Sequence, residues 1–176
     1  MFSTILVPTD GSDHALKATT IACDLAAKYG ARVVLLHVLQ EHDISEQAAH
    51  FAKVEHLDGA GQLSDDGLVL ADIPHVYFSK PLGARGEAPR HAVSRGIAES
   101  VLSSAEKIAR GHGVKLVDAV TTTGDPAEQI LDVAAEEKAE GIVMGSRGLS
   151  NIKGALFGSV SHKVAHDAKC TCVTVT

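Results

Sequence analysis

The run Thr4-Ile5-Leu6-Val7-Pro8 is apolar from end to end, with none of the polar alternation that marks a strand facing water on one side. Val33 to Leu39 is a second run of the same kind. A strand of this type must be covered on both faces, and the segments between the runs have the periodicity to cover it. Ala18, Ile21, Ala22, Leu25 and Tyr29 form a helical stripe that Gly30 ends. Val93, Ile97, Val101, Ala105 and Ile108 form another, ended by the glycines at 111 and 113, and Val114 to Thr121 follows as a third strand. Asp125-Pro126-Ala127-Glu128 combines an N-cap, a proline at the first helical position and a capping-box acid. The helix it opens carries Ala127, Ile130, Leu131, Ala134 and the alkyl stem of Lys138 on one side. Gly141 to Met144 is a fourth strand, a helix begins near Gly158 with Val160, Val164 and Ala168 inward, and Cys170 to Thr176 is a fifth strand. Strands alternating with helices predict an α/β fold: a parallel sheet with right-handed crossovers and helices on both faces.

With 176 residues, the chain is expected to form one domain with a proper core. Residues 40 to about 90 interrupt the alternation. Asp43 to Leu57 reads as a polar helix, and the remainder, rich in glycine and proline, reads as an excursion inserted into the domain. A net charge of −6 disfavours nucleic acid or an anionic membrane as a partner. Three cysteines, an odd number without a scaffold spacing, fit a reducing compartment. No secretory leader or bilayer-length apolar run is evident, so a cytoplasmic protein is expected.

In sheets of this kind ligands bind at the carboxyl ends of the strands, where Asp10, Val38 and Gly145-Ser146-Arg147-Gly148 fall. Nine residues after Gly148, Gly158-Ser159 opens a helix. Glycines between a buried strand and a helix start let backbone N–H groups approach a phosphate that a side chain would hold away. The chain has no Gly-Lys-[Ser/Thr] of a Walker A loop, and Gly83-Ala84-Arg85-Gly86 is no G-x-G-x-x-G fingerprint. Arg147 sits where it could pair with phosphates or point into solvent.

Gly145-x2-Gly148-x9-Gly158-Ser159 is similar to the ATP-binding motif of the universal stress protein family. Ile5 to Ser12, Gly124-Asp125-Pro126 and Val143 to Gly148 also resemble that family's patterns, over residues 1 to about 40 and about 90 to 176. The resemblance implies a five-stranded parallel sheet of order 3-2-1-4-5, Rossmann-like and of the adenine nucleotide alpha hydrolase type. It implies a homodimer through the last strand and a site for ATP, ADP or AMP with Mg²⁺ or Mn²⁺. Asp10 and the Val38 backbone would flank the adenosine, with Pro8 and Gly145 near the ribose. Thr9, Met144 and Arg147 belong to the same loops, and Gly148, Gly158, Ser159 and Val160 would hold the phosphates. The chain departs from the family at its end, reading Cys170-Thr171-Cys172-Val173-Thr174-Val175 where Cys-Pro-Val-Leu-Val-Val is common.

The function expected is a nucleotide-dependent stress-response module that acts through an unidentified protein partner. No nucleophile, base and orienting group fall together, so turnover would be at most weak ATP hydrolysis. The alternatives are a slow ATPase or nucleotide-transfer enzyme, with Asp10 holding the metal and Arg147 the phosphate charge, and a nucleotide-free interaction protein. Asp10 reads equally as a turn aspartate that satisfies backbone N–H groups. His42, Glu46 and His50 share a helix face, with zinc a minor reading beside a solvated surface. His37 reads as a core histidine, and Cys170 and Cys172 as packing residues rather than a redox pair.

Overall fold

A computed structural model describes residues 2–40, 63–64, 67–68, 88–149 and 157–176. It divides into two compact units. The first comprises Met1–Glu41 with Ala98–Thr176, and the second comprises His42–Ile97. Within the second, β3 (Leu63–Ser64) and β4 (Gly67–Leu68) form a short antiparallel ladder. The expected helix over Asp43 to Leu57, and His42, Glu46 and His50 with it, lie outside the described residues.

The first unit is built on five parallel strands: β1 (Thr4–Pro8), β2 (Arg32–Leu39), β5 (Val117–Thr123), β6 (Gly141–Gly145) and β7 (Thr171–Val175). Their order is β5-β2-β1-β6-β7, which is 3-2-1-4-5 when the strands of this sheet are counted along the chain. The central strand β1 hydrogen-bonds to β2 on one side and β6 on the other. Side-chain alternation then sorts the core. Ile5, Val7, Val33, Leu35 and Val143 face α1 (Asp13–Tyr29) and the part of α2 (Ala88–Gly111) in this unit. Leu6, Val34, Leu36, Ile142 and Met144 face α3 (Pro126–Glu136) and α4 (Ser159–Asp167). The α1 and α2 layer meets the sheet largely through alanines, whose small side chains let the helix axes come close, whereas α3 and α4 also bring Ile130, Val133 and Val164.

Local chemistry sets the helix ends. The Ser12 hydroxyl accepts from the Ala15 N–H, and Gly30, in the left-handed region at φ 69°, donates to Ala26. Asp125 caps α3 by accepting from the Glu128 N–H at 3.0 Å, with Pro126 next in line. Glu128 does not close the expected capping box. Its carboxylate meets Lys163 on α4 at 3.2 Å, because α4 packs alongside α3 and brings a cation there.

Three further details differ from the sequence reading. In α1, Ala15, Ala18, Ala22, Cys23 and Ala26 are buried, while Ile21 and Tyr29 are each 39% exposed at the flanks. A close helix–sheet contact favours the small residues, and Tyr29 packs instead edge-on against Phe2, with ring centroids 6.2 Å apart. Lys138 covers nothing on α3, since the helix ends at Glu136 and Lys138 makes the turn beyond it at φ 51°. The third strand starts at Val117, not Val114. Val114 is buried, but its N–H closes the turn after α2 by donating to Ala109.

Leu35 is fully buried against α1 and α2, so Leu35→Ala should lower unfolding free energy by about 2–5 kcal/mol. Ile21→Ala should change it by no more than about 0.5 kcal/mol. Urea melts of the two variants check both figures; equal losses would contradict the placing of Leu35 in the core and Ile21 at its flank.

Candidate functional site

The candidate residues collect along the carboxyl edge of the sheet because β1, β2 and β6 are parallel and all end there. The chain leaves β1 toward β2 on one side and finds β6 on the other, so the strand order reverses at β1. Pro8 ends β1 with Thr9 and Asp10 after it, Val38 is the last residue but one of β2, and Met144 and Gly145 end β6.

Asp10 joins the two loops that flank this point. Its Oδ1 accepts the Ser12 N–H at 3.0 Å, and its Oδ2 accepts the Leu149 N–H at 3.1 Å, 139 residues away. The aspartate therefore does the turn's hydrogen bonding and also latches the glycine loop. A Cβ on Gly148 would fall on that same carboxylate, so glycine at 148 leaves room for Asp10. Gly145 is restricted for another reason. A Cβ there would lie 2.9 Å from the His14 backbone carbonyl carbon, where α1 crosses the end of β6. Gly158 would meet only ordinary contacts.

The turn out of β6 is held from inside. Ser146 is fully buried; its N–H donates to Val175 at 2.7 Å, and its Oγ lies 3.2 Å from His14 Nδ1. Its carbonyl accepts both the Gly158 N–H at 2.7 Å and the Ser161 hydroxyl at 2.6 Å. Ser146 and Ser161 thus tie the strand end to the start of α4. Sequence reasoning singled out Ser159 and passed over both. A serine between a buried strand and a glycine was the available signal for Ser146, whereas nothing marked Ser161. Ser159 itself is exposed.

Electrostatically, the helix starts of this unit are unequal. Ser12 and Asp125 cap α1 and α3, whereas Gly158 supplies α4 with no side-chain cap. Uncapped N–H groups at a helix start leave partial positive charge facing outward. Arg147 stands beside this end, half-buried, with its Nε unpartnered among the described residues.

The remaining candidates are spread out. Met144 is buried in the α3 and α4 core, and Val38 packs partly against that core. His37 is buried, with Nδ1 2.8 Å from the Thr9 carbonyl, and burial lowers its pKa below the ordinary imidazole value. Burial raises both the Cys170 and Cys172 thiols, which suits packing residues that stay protonated. Among the described residues, no group of three or more His, Cys, Asp or Glu side chains could hold a metal ion, and no helix is long and apolar enough to cross a membrane.

An open parallel sheet whose strand order reverses at β1, with helices on both faces, defines a doubly wound α/β protein. The universal stress protein family model matches residues 1–176, and the chain belongs to that family. It is 33% identical over 175 residues to the universal stress protein in the QAH/OAS sulfhydrylase 3′ region of Thermus aquaticus, covering 99% of each chain. Among solved structures, it matches a universal stress protein in complex with cAMP at TM-score 0.62 and 24% identity, covering 99% of this chain and 97% of that one. It matches the universal stress protein from Archaeoglobus fulgidus in complex with dAMP at TM-score 0.60 and 21% identity, covering 98% and 97%. At those identities, the two structures share the fold.

The two glycines should respond differently to a methyl group. Gly145→Ala must push backbone and should cost about 1–3 kcal/mol. Gly148→Ala should cost about 1–2 kcal/mol through the displaced Asp10 hydrogen bond. That second cost should shrink toward zero in an Asp10→Ala background. Chemical denaturation of the four proteins, without ligand, measures the coupling. An unchanged cost for Gly148→Ala would contradict the Asp10 latch.

Proposed function

We propose that this chain binds an adenine nucleotide, ATP, ADP or AMP, over the carboxyl ends of β1, β2 and β6. The observation that carries the reading is the start of α4, which follows the glycine loop and has no side-chain cap of its own. In this reading the backbone N–H groups of Gly148, Ser159 and Val160 take the phosphates, an anion supplying what the missing cap does not, while Gly158, whose own N–H is held by the Ser146 carbonyl, leaves them room to approach. Arg147 adds charge beside them. Pro8, Thr9, Asp10, Val38, Met144 and Gly145 supply or support the nucleoside end. The cAMP and dAMP carried by structures of the same fold favour an adenine nucleotide. A Mg²⁺ or Mn²⁺ would arrive on the phosphates, neutralising their charge.

The output of such a site is conformational. Asp10 uses one lone pair of each oxygen to hold the Ser12 and Leu149 N–H groups, and no base or second carboxylate stands beside it among the described residues to activate a water. That favours a binding module over a slow ATPase. In the same reading the module is a cytoplasmic homodimer paired through β7, one of the two edge strands of the sheet, and residues about 40–90 are an insertion in a single domain. A nucleotide-free interaction protein is the alternative, in which the glycine loop is only architecture.

Nucleotide released by heat from the purified protein should elute from an anion-exchange column as adenine nucleotide. Added ATP, ADP or AMP should raise the melting temperature, with about 2.7 kcal/mol of stabilisation at a hundredfold excess over Kd. Gly148→Val should abolish this shift and leave the far-ultraviolet circular dichroism unchanged. An empty eluate together with an unmoved melting temperature for all three nucleotides would sink the reading.

A further inference from the structure

His37 is an ionisable side chain inside the core, and the site described above gives it no task. It lies near the end of β2 and is 2% exposed. Leu35 belongs to the α1 and α2 core, and Leu36 and Val38 to the other, so the imidazole points to the α1 and α2 side. Its Nδ1 is 2.8 Å from the carbonyl oxygen of Thr9, 28 residues away. A carbonyl can only accept, so Nδ1 carries the proton, and the neutral ring leaves a lone pair on Nε2. Nε2 is buried and has no partner among the described residues.

What this ring holds is the start of the Asp10 loop. Thr9 is 5% exposed, and both of its backbone polar groups are committed to β2: its N–H donates to Leu36 at 2.8 Å, and its carbonyl faces His37. Its hydroxyl accepts the Gly11 N–H at 3.3 Å. Asp10 then fixes Ser12 and Leu149. Hydrogen bonds on either side of the Thr9–Asp10 peptide link thus connect His37 to the glycine loop. We propose that neutral His37 is a positioning residue for the nucleotide site, and that its protonation at Nε2 loosens the Asp10 loop and weakens nucleotide binding. The proposal rests on the nucleotide reading above.

The sign follows from the surroundings. A proton on Nε2 would need an acceptor or water, and the buried ring has neither among the described groups. The Thr9 carbonyl and then Asp10, the one described charge whose field acts on the ring, favour protonation; burial opposes both and outweighs them. Opposite His37 in register, β5 offers the neutral Thr121. In the first turn of α1, Asp13 is exposed and His14 is turned to Ser146. On α2, Glu99 and Lys107 are exposed. The neutral state is therefore the folded one near neutrality. The positioning it provides is present above the ordinary imidazole pKa of about 6.5 and is lost as pH falls through the lower folded value.

The test compares wild type with His37→Asn, which keeps a donor near the place of Nδ1 and cannot titrate, and with His37→Leu, which keeps neither. Titration calorimetry with AMP is run from about pH 7.5 down through the depressed midpoint that the wild-type imidazole ¹⁵N shifts give for His37. The phosphate's own ionisation is common to all three proteins and cancels. Wild-type affinity should fall at least about threefold more than that of His37→Asn over this span. His37→Asn should bind like wild type at the upper end, and His37→Leu more weakly throughout. Imidazole ¹⁵N shifts of the wild-type protein give a readout that needs no variant, and should show the Nδ1–H tautomer with a depressed titration midpoint. Equal pH profiles for wild type and His37→Asn, or an Nε2–H tautomer, overturn the proposal while leaving nucleotide binding intact. No AMP binding by wild type at the upper pH overturns the nucleotide reading and this inference together.

Discussion

The first unit is organised by one constraint: β1 has no face turned to water. Ile5 and Val7 on one side and Leu6 on the other are 1% exposed or less, so both layers of helices must exist for this strand to be buried. Its hydrogen bonds are likewise used on both edges, toward β2 and β6. A strand enclosed in this way has only its ends free. The carboxyl end is where the strand order reverses, so the residues after Pro8 emerge into the gap between two diverging connections. Asp10 stands in that gap because the core of β1 leaves the chain no other place to go.

From there the site is a matter of which backbone groups are already satisfied. Asp10 takes the N–H groups of Ser12 and Leu149, and the Ser146 carbonyl takes the Gly158 N–H and the Ser161 hydroxyl. The start of α4 is left without a side-chain cap, in contrast to α1 and α3. This combination of hydrogen-bonded flanks and an uncapped helix start suits binding an anion. It also separates the glycines by role. Gly145 serves the packing of α1 on β6, whereas Gly148 serves Asp10.

Much of this was legible in the sequence, for physical reasons that differ between elements. Continuous apolar runs identify doubly covered strands, so β1, β2 and β6 and the parallel α/β class could be read directly. Gly30 and Asp125-Pro126 marked helix ends because capping is local chemistry. The inward face of α1 was less legible: the stripe ranked residues by hydrophobicity, yet the tight contact with the sheet selects Ala15, Ala18 and Ala22 over Ile21 and Tyr29. Glu128 followed the capping-box spacing but answered to Lys163, a residue on another helix. In the site, Asp10, Gly145 and Gly148 were found by position and spacing, but the latch between Asp10 and Leu149 joins residues 139 apart and has no local signature. Ser146 and Ser161 were missed on the same ground, since their hydrogen bonds exist only once β6 and α4 are assembled.

The central claim is that an adenine nucleotide sits on the glycine loop with its phosphates at the start of α4. Amide ¹H–¹⁵N correlation spectra recorded during an AMP titration test it most directly, because they report which backbone N–H groups meet the ligand. The account predicts the largest shifts at Gly148, Ser159 and Val160, with Leu149 moving as its bond to Asp10 adjusts. Saturable shifts confined to other parts of the sheet, with these amides unmoved, would contradict it.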